Sequence, residues 1–339
     1  MKRTFIYFFL MLAGTPLFAY DFSTPNSKGD TLYYNITSDS TVEVTYDVKV
    51  NKPTRFNFKG HIIIPADVSY GGKNYNVTKI GDMAFRYCPL IDSVTIPEGV
   101  ETIGGWAFNN CTGLQWVSHL PVSLKELGES AFANCKLLEV CFSTQSCNIG
   151  SYAFGGCGQL QEVTLPRSHA SLGTQCFYSD SNLCQVQMPD SMESIPASCF
   201  YYCIRLKGIV IPSGVKLIDV FAFYHCHSLV CCNFKTPFTL DSISVGAFTG
   251  DSSLLLMDLS QTKIRTLSRA VFEDCVSMKE LKLPNTLKLV DFISVARTIS
   301  LEFLVMPESV EFVHVGYCSH YMEHKQIFKS TTPDRKSVV

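Results

Sequence analysis

Charged residues are scarce in this 339-residue chain, at 17% of the sequence, and neither sign dominates. The 28 lysines and arginines are balanced by 30 aspartates and glutamates, which gives a net charge of −2. Because nucleic acids and anionic membranes are usually bound by a basic surface, the composition argues against both as partners. Apolar residues make up 46% of the chain, which favours a large buried core.

The sequence also lacks the common catalytic and cofactor-binding motifs. It has no Gly-x-Ser-x-Gly nucleophile elbow, no Gly-x-x-x-x-Gly-Lys-Ser/Thr phosphate loop and no Cys-x-x-Cys redox pair. Carboxylates such as Glu162, Asp258 and Glu280 are scattered, and any stack of strands with polar faces brings such residues together. We therefore expect a protein that is not an enzyme and needs no cofactor.

Long apolar runs are absent except at the N-terminus. Residues 1–19 start with Met-Lys-Arg, continue with an apolar run at 5–13 and end in Ala19, which is the organisation of a cleaved secretory signal peptide. An uncleaved membrane anchor is the weaker interpretation, because Gly14 and Pro16 interrupt a stretch too short to span a bilayer. We expect an exported chain, secreted or at the cell surface, with no membrane-spanning segment after cleavage.

What the remaining chain does contain is a repeat. The phrase KIGDMAFRYC at 79–88 returns as TIGGWAFNNC at 102–111, and a phenylalanine marks each later copy at steps of 22 to 25 residues. The repeat phenylalanines are Phe85, Phe108, Phe132, Phe154, Phe177, Phe200, Phe223, Phe248 and Phe272, and a degenerate tenth copy has Val295. Such a period is typical of a stacked architecture in which each unit buries its apolar face against the next.

Each copy carries the same apolar pattern after its phenylalanine. Apolar residues six, nine and eleven positions later give L-x-x-L-x-L, as in Leu206, Ile209 and Ile211. The last two alternate with a variable residue, which predicts a strand with one buried face. Proline often follows, as at Pro212, where it would end strand pairing. Each repeat is thus predicted to contain a strand, a proline turn, a second apolar corner such as Ile103 and a tight Ala-Phe turn.

These units resemble a known repeat family. LIDSVTIPEGVETIGGWAFNNC and LKGIVIPSGVKLIDVFAFYHC look like the BspA-like leucine-rich repeat, as does the lead-in LYYNITSDSTVEVTY followed by YGGKNYNVTKIGDMAF. The resemblance covers residues 30–315 and implies a β-rich solenoid, a right-handed curved stack of about ten repeats with a parallel inner sheet. It also implies a bacterial surface protein that binds host matrix proteins or other cells, with no catalytic residues to transfer.

The chain outside the repeats is predicted to cover the ends of the solenoid. TVEVTYDVKV at 41–50 alternates apolar and polar residues like a half-buried strand, and a solenoid needs atypical terminal units. We assign residues 20–60 to a β-rich N-terminal cap, 61–315 to the leucine-rich repeat solenoid and 316–339 to a polar C-terminal tail.

Fifteen cysteines in an exported chain would ordinarily suggest disulfide bonds. Eleven of them occupy repeat columns, mostly three residues after the phenylalanine, and Cys141 and Cys232 replace a strand valine. A thiol in such a position acts as a small buried hydrophobe, so we expect mostly free, buried cysteines. Bridges along a column are the alternative, since neighbouring strands are close enough for them. Cys184 and Cys231 are predicted to be exposed and the most reactive.

Two clusters contain side chains that bind metals in other proteins. YHCHSLVCC at 224–232 has two histidines and three cysteines, but two of the cysteines belong to core columns and the spacing matches no closed zinc pattern. HYMEH at 320–324 has two histidines four residues apart without the zinc-protease motif. We expect no metal at either place.

The variable residues of the predicted inner sheet are the candidate binding surface. Trp116 and Phe142 are the aromatic residues expected to anchor an interface, and Val230, Leu255 and Leu256 suggest an apolar patch. The full candidate set is Trp116, Phe142, Glu162, Gln185, Gln187, Lys207, Val230, Leu255, Leu256, Asp258, Lys282 and Phe303.

The sequence therefore predicts a non-enzymatic scaffold for protein binding or adhesion, with a host matrix protein or another cell surface as partner. A glycan-binding module of a surface carbohydrate system is one alternative, and it predicts exposed aromatic residues along a groove, such as Trp116 with Phe142. A self-associating structural surface protein is another, and it predicts an oligomer that depends on concentration.

Overall fold

The computed structural model describes residues 20–46, 58–143, 146–166, 168–302, 304–314 and 328–329. The predicted signal peptide, most of the predicted tail and the candidate residue Phe303 lie outside these ranges. Within them the chain forms a β-solenoid, and the one helical element is the short 3₁₀ helix Phe292–Val295. The predicted fold class, a stack of leucine-rich repeats with parallel strands, is confirmed.

The L-x-L segments form the first series of short strands. Among the described residues the members pair in parallel within four separate groups, and inside a group equivalent residues of successive repeats lie side by side, as Ile209 does with Cys232. The members are Gly60–Ile63, Ile91–Thr95, Trp116–Val117, Glu139–Cys141, Glu162–Thr164, Gln185–Gln187, Gly208–Ile211, Cys231–Phe234, Leu256–Asp258, Glu280–Lys282, Leu304–Val305 and Phe328–Lys329. We call the outward side chains of these strands, with the residue that precedes each strand, the LxL face.

The second apolar corner of each repeat is also a strand, and these strands form a second parallel series. Ile103, for example, lies between Ile80 and Leu127 of the flanking repeats. The members are Lys73–Ile80, Thr102–Ile103, Glu126–Leu127, Ser146–Ile149, His169–Leu172, Ser194–Ile195, Leu217–Ile218, Ser242–Ile243, Thr266–Leu267, Leu289–Asp291 and Phe312–His314. The sequence pattern predicted an apolar corner here but not its strand pairing.

The Ala-Phe turns link successive repeats on the third side of the solenoid. The backbone N–H of Phe85 donates to the carbonyl of Ala107 at 2.7 Å, and the same bond recurs from repeat to repeat. The residues two before and two after the phenylalanine have positive φ, as at Ser198 (53°) and Tyr202 (58°). We call the exposed side chains of these turns the turn face.

The repeat phenylalanines form one continuous column in the core. Adjacent rings lie 5.0–5.8 Å apart with planes within 20° of parallel, and each ring is at most 1% exposed. Phe58 closes the N-terminal end edge-on, 5.2 Å from Phe85, and the buried Val295 occupies the last position. Large buried aromatic surfaces in stacked contact make this column a continuous stabilising part of the core.

The N-terminal strands extend the second series. Phe22–Pro25, Thr31–Ile36 and Thr41–Thr45 pair antiparallel, and the last of them pairs in parallel with Lys73–Ile80. The hairpin partner Asp67–Tyr70 lies antiparallel to the same strand. One sheet therefore runs from the N-terminal strands into the repeats.

The repeat that follows Phe132 departs from the predicted columns. Val140 and Phe142 are buried, at 8% and 5% exposure, whereas Leu138 and Cys141 are exposed. The predictions that Cys141 belongs to the core and that Phe142 is exposed on the inner sheet are therefore wrong.

The reason is a short repeat. Only 22 residues separate Phe132 from Phe154, and Leu137 takes the core position predicted for its neighbour. Because side chains alternate along a strand, a shift of one residue exchanges the buried and exposed sets. Phe142 consequently points inward and packs edge-on against Phe154, with ring centroids 6.3 Å apart.

The cysteines of the described residues are all free thiols. From Cys111 onward, the cysteines that lie three residues after a repeat phenylalanine donate to a backbone carbonyl of the preceding repeat. Cys111, for example, donates to the carbonyl of Phe85 at 3.0 Å. Burial raises the pKa of such a thiol well above its usual value, for example at Cys157. Cys231 is exposed as predicted, and Cys184 is half-buried.

Candidate functional site

The predicted binding residues lie mostly on the LxL face. Trp116, Glu162, Gln185, Gln187, Lys207, Val230, Leu255, Leu256, Asp258 and Lys282 are all exposed there. Phe142 is buried and leaves the set, and Phe303 is outside the described residues. Exposure makes these side chains accessible to a partner, while their role in binding stays a prediction.

An apolar patch occupies the middle of the LxL face. It consists of Val210, Val230, Cys231, Leu255 and Leu256, and its valines and leucines are 41–47% exposed. The strand register creates it, because Cys231 pairs with Leu256 on one side and with Gly208 on the other. Gly208 has no side chain, and a Cβ there would be 3.2 Å from Cys231 Sγ, so the thiol lies over the glycine.

A charged cluster adjoins the apolar patch. Lys282 Nζ lies 3.5 Å from Asp258 Oδ2 and 3.5 Å from Glu280 Oε1, and Glu280 pairs with Leu256 of the patch. Hydrogen bonds from Ser260, followed by the nearby lysine, lower the pKa of Asp258. Because these groups are exposed, their ion pairs add little stability but place a polar rim beside apolar surface.

Trp116 lies apart from the apolar patch, in the N-terminal segment of the LxL face. Its ring centroid is 6.1 Å from that of His61, whose imidazole contacts Ser93 Oγ at 2.8 Å and Thr95 Oγ1 at 3.0 Å. The strand pairing of this segment ends where the short repeat begins. With Phe142 buried, Trp116 has lost the aromatic neighbour that the sequence predicted, so the two do not form a groove.

The sequence prediction missed an aromatic surface on the turn face. We call it the aromatic band, and it consists of Tyr152, Tyr178, Tyr201, Tyr202, Phe221, Tyr224 and His225. A signal was present in the sequence, since the residue after the repeat phenylalanine is tyrosine in three successive copies.

The described residues contain no cluster of three or more His, Cys, Asp or Glu side chains placed to hold a metal ion. His225 and His227 do meet, with Nδ1 of the first 2.9 Å from Nε2 of the second, as in a hydrogen bond between imidazoles. The two histidines of HYMEH lie outside the described residues. Across the same described part of the chain, no helix has the length and apolarity to cross a bilayer.

The comparisons with known proteins agree on the architecture. Residues 78–207 and 193–320 match the family model described as BspA type leucine rich repeat region (6 copies). The structure is similar to that of a leucine-rich repeat protein from Bacteroides ovatus, with 26% identity, a TM-score of 0.58, and coverage of 87% of this chain and 84% of that chain. It also resembles the fold of a leucine rich cell surface protein from Faecalibacterium prausnitzii, with 23% identity, a TM-score of 0.56, and coverage of 86% and 84%. No curated protein sequence matches the chain.

Proposed function

Because the chain belongs to the BspA-type leucine-rich repeat family, we propose that it is a non-enzymatic scaffold that binds another protein outside the cell or at its surface. Stacked repeats of this kind hold a long surface rigid while the residues on it vary freely. The partner is an extracellular protein, either a host matrix protein or a protein of another cell surface, and the consequence of binding is adhesion.

The observation that carries this proposal is the apolar patch with its charged rim. Protein interfaces combine a fully desolvated apolar centre with a polar periphery, and large exposed apolar patches on soluble proteins mark interaction sites. Leu255 and Leu256 form the side of the patch next to the charged cluster, and Lys207 and Lys282 lie at its border. The rigid strand backbone beneath them reduces the entropy lost on binding.

Export and domain limits belong to the same proposal. We assign residues 1–19 to a cleaved signal peptide, 20–60 to the cap, 61–315 to the solenoid and 316–339 to the tail. Comparing the chain secreted into the medium with the chain retained by cells, with and without residues 1–19, tests the export assignment directly.

The binding experiment uses residues 20–339 and immobilised extracellular-matrix proteins in a biosensor assay. The test variant is Leu255→Ser/Leu256→Ser, which removes both leucines of the patch. The matched control is Leu90→Ser/Val122→Ser, which removes two side chains of equal or greater exposure, 58% and 61%, elsewhere on the solenoid. Equal thermal unfolding of the three proteins shows that they are equally folded.

We expect saturable binding that weakens roughly tenfold or more in the test variant and is unchanged in the control, the loss typical of a central interface residue. Binding by the test variant equal to that of the unaltered protein would move the site away from the apolar patch. Binding by none of the proteins, together with a molar mass that rises with concentration in light scattering, would favour a self-associating surface protein instead.

A further inference from the structure

Two of the three sides of the solenoid are interrupted at the same place. Between the repeat of Phe177 and the next one, the LxL strands Gln185–Gln187 and Gly208–Ile211 are not paired with each other. Nor are the second-series strands His169–Leu172 and Ser194–Ile195. Every other junction among the described repeats keeps strand pairing on at least one of these two sides. We call this place the central junction, and it divides the solenoid into a first and a second half.

The sequence explains the interruption in the second series. In the preceding repeats a glycine follows the second apolar corner and donates its N–H to the repeat before it, as Gly173 does to the carbonyl of Ile149 at 2.7 Å. Pro196 occupies this position at the central junction and has no N–H to donate. In the next repeat Asp219 donates again, to Ile195 at 3.0 Å. One proline therefore removes the bond that its neighbours make.

The core is also looser at the central junction. Leu172 and Val186 occupy core columns on the two interrupted sides, and both are only partly buried. The equivalent residues one repeat earlier, Ile149 and Val163, are 3% and 1% exposed. Solvent thus reaches the edge of the core where the strand pairing stops, which is typical of a region with low local stability.

The turn side, in contrast, stays bonded across the central junction. The N–H of Phe177 donates to the carbonyl of Cys199 at 2.9 Å, and the N–H of Ser179 donates to that of Tyr201 at 2.7 Å. The rings of Phe177 and Phe200 remain stacked, with centroids 5.5 Å apart. A joint that is bonded along one side and unpaired along the other two bends about the bonded side. The turn side is therefore the pivot.

The corner opposite the turn side is closed by an ion pair. Lys235 Nζ lies 2.7 Å from Asp190 Oδ1, and because the two residues are 45 positions apart the pair spans a whole repeat and joins the two halves. The backbone is also close here, since a Cβ on Gly214 would be 2.6 Å from the carbonyl oxygen of Asp190. Both charged side chains are exposed, so their attraction contributes little stability. The corner is closed but weakly held.

We propose that the central junction is a hinge that sets the curvature of the LxL face, with the turn side as its pivot and the ion pair between Asp190 and Lys235 as its latch. The candidate binding residues Trp116 and Gln185 lie in the first half, whereas the apolar patch lies in the second. Opening the latch moves these two groups apart. A partner that contacts both halves selects one hinge angle, and this consequence rests on the proposed function.

Double electron–electron resonance on residues 20–339 tests the hinge in the free protein. Spin labels need a background without accessible thiols, because the buried column cysteines react slowly. The background variant is therefore Cys141→Ser/Cys184→Ser/Cys231→Ser/Cys318→Ser, where Cys318 lies outside the described residues.

Two pairs of label sites are matched in position and spacing. Gln115→Cys/Lys207→Cys spans the central junction, and Lys207→Cys/Glu302→Cys lies within the second half. All three sites are exposed, precede an LxL segment and are four repeats apart within each pair, which is roughly 20 Å.

Three further changes are made in each labelled chain. Lys235→Ala removes the latch, and Pro196→Gly supplies the missing N–H donor. The control is Lys216→Ala, which removes the exposed ion pair between Lys216 and Glu193, 3.8 Å apart, at a junction where the strands are paired. Thermal unfolding shows which variants are folded.

We expect a wider distance distribution for the label pair that spans the junction than for the pair within the second half. Lys235→Ala should shift the spanning pair to longer distances, Pro196→Gly should narrow its distribution, and Lys216→Ala should leave both pairs unchanged.

Equal widths for the two label pairs would overturn the hinge, and an unchanged distribution in folded Lys235→Ala would overturn the latch. An unchanged width in folded Pro196→Gly would overturn the part assigned to the missing donor. Because the labels report on the free protein, these outcomes do not depend on whether the LxL face binds a protein.

Discussion

Two buried aspartates interrupt the cysteine column of the core. Asp180 and Asp251 are fully buried three residues after their repeat phenylalanines, where seven other copies have cysteine. Oδ1 of each accepts a backbone N–H, from Cys157 at 2.7 Å and from Cys226 at 2.8 Å. Oδ2 of each has no hydrogen-bond partner among the described residues. Burial therefore raises both pKa values well above the usual range.

The raised pKa of Asp180 predicts that the protein loses stability as the pH rises. The folded-state pKa of Asp180 exceeds the unfolded-state value of about 4. The carboxyl group therefore stabilises the folded protein fully below about pH 4, and this stabilisation is lost as the pH rises towards the folded-state pKa. Asp180→Asn keeps the Oδ1 acceptor without the charge. We expect it to raise the free energy of unfolding by about 1–3 kcal/mol at pH 8, and the gain to vanish near pH 4. Urea unfolding across this range, with the exposed Asp241→Asn as control, measures the difference; a gain independent of pH would contradict the prediction.

At the scale of the repeat, the sequence predicted the parts that recur in every copy. The phenylalanine column, the buried Leu206 and the strand with Ile209 and Ile211 were confirmed, because each repeat imposes the same packing on the same positions. For the short repeat the prediction was wrong at Cys141 and Phe142, because the missing residue could be placed on either side of the strand. Only the neighbouring copies in three dimensions decide which residues of that strand face the core.

The shifted register predicts an unexpected reactive thiol. Cys141 is exposed, whereas Cys157 and Cys226 are buried and burial raises their pKa values. A maleimide added to the native protein should modify Cys141 and Cys231 completely before it modifies the column cysteines. Peptide mass mapping after short labelling measures this order, and Cys141→Ser identifies its peptide. Protection of Cys141 in the folded protein would contradict the shifted register.

At the scale of the whole molecule, the candidate surfaces were harder to predict than the fold. The LxL face follows from strand alternation, so the exposure of Leu256 and Asp258 on either side of the buried Met257 could be deduced from the sequence. The aromatic band was harder to recognise: tyrosine follows the repeat phenylalanine in three successive copies, but the same position holds Arg86 in one repeat and Ala133 in another. Ring stacking between repeats depends on which residues meet after the solenoid forms.

We predict that the N-terminal strands protect the end of the solenoid from association with other chains. Thr41–Thr45 pairs with Lys73–Ile80, placing Val42 opposite Val77 and burying both. A chain that starts at residue 58 would expose this long strand edge, and unpaired edges recruit other chains. We expect it to associate in light scattering and to lose amide protection first at Lys73–Ile80, because each repeat depends on its neighbours.

The matched control for that truncation is Glu43→Gln in the chain that starts at residue 20. It removes only the ion pair between Glu43 and Lys79, whose charged atoms are 3.0 Å apart, and keeps the strand pairing. A partly exposed ion pair contributes about 1 kcal/mol at most, so this variant should remain monomeric with unchanged amide protection. If the truncated chain also stayed monomeric and fully protected, the repeats would be stable without the N-terminal strands, and those strands would not be a cap.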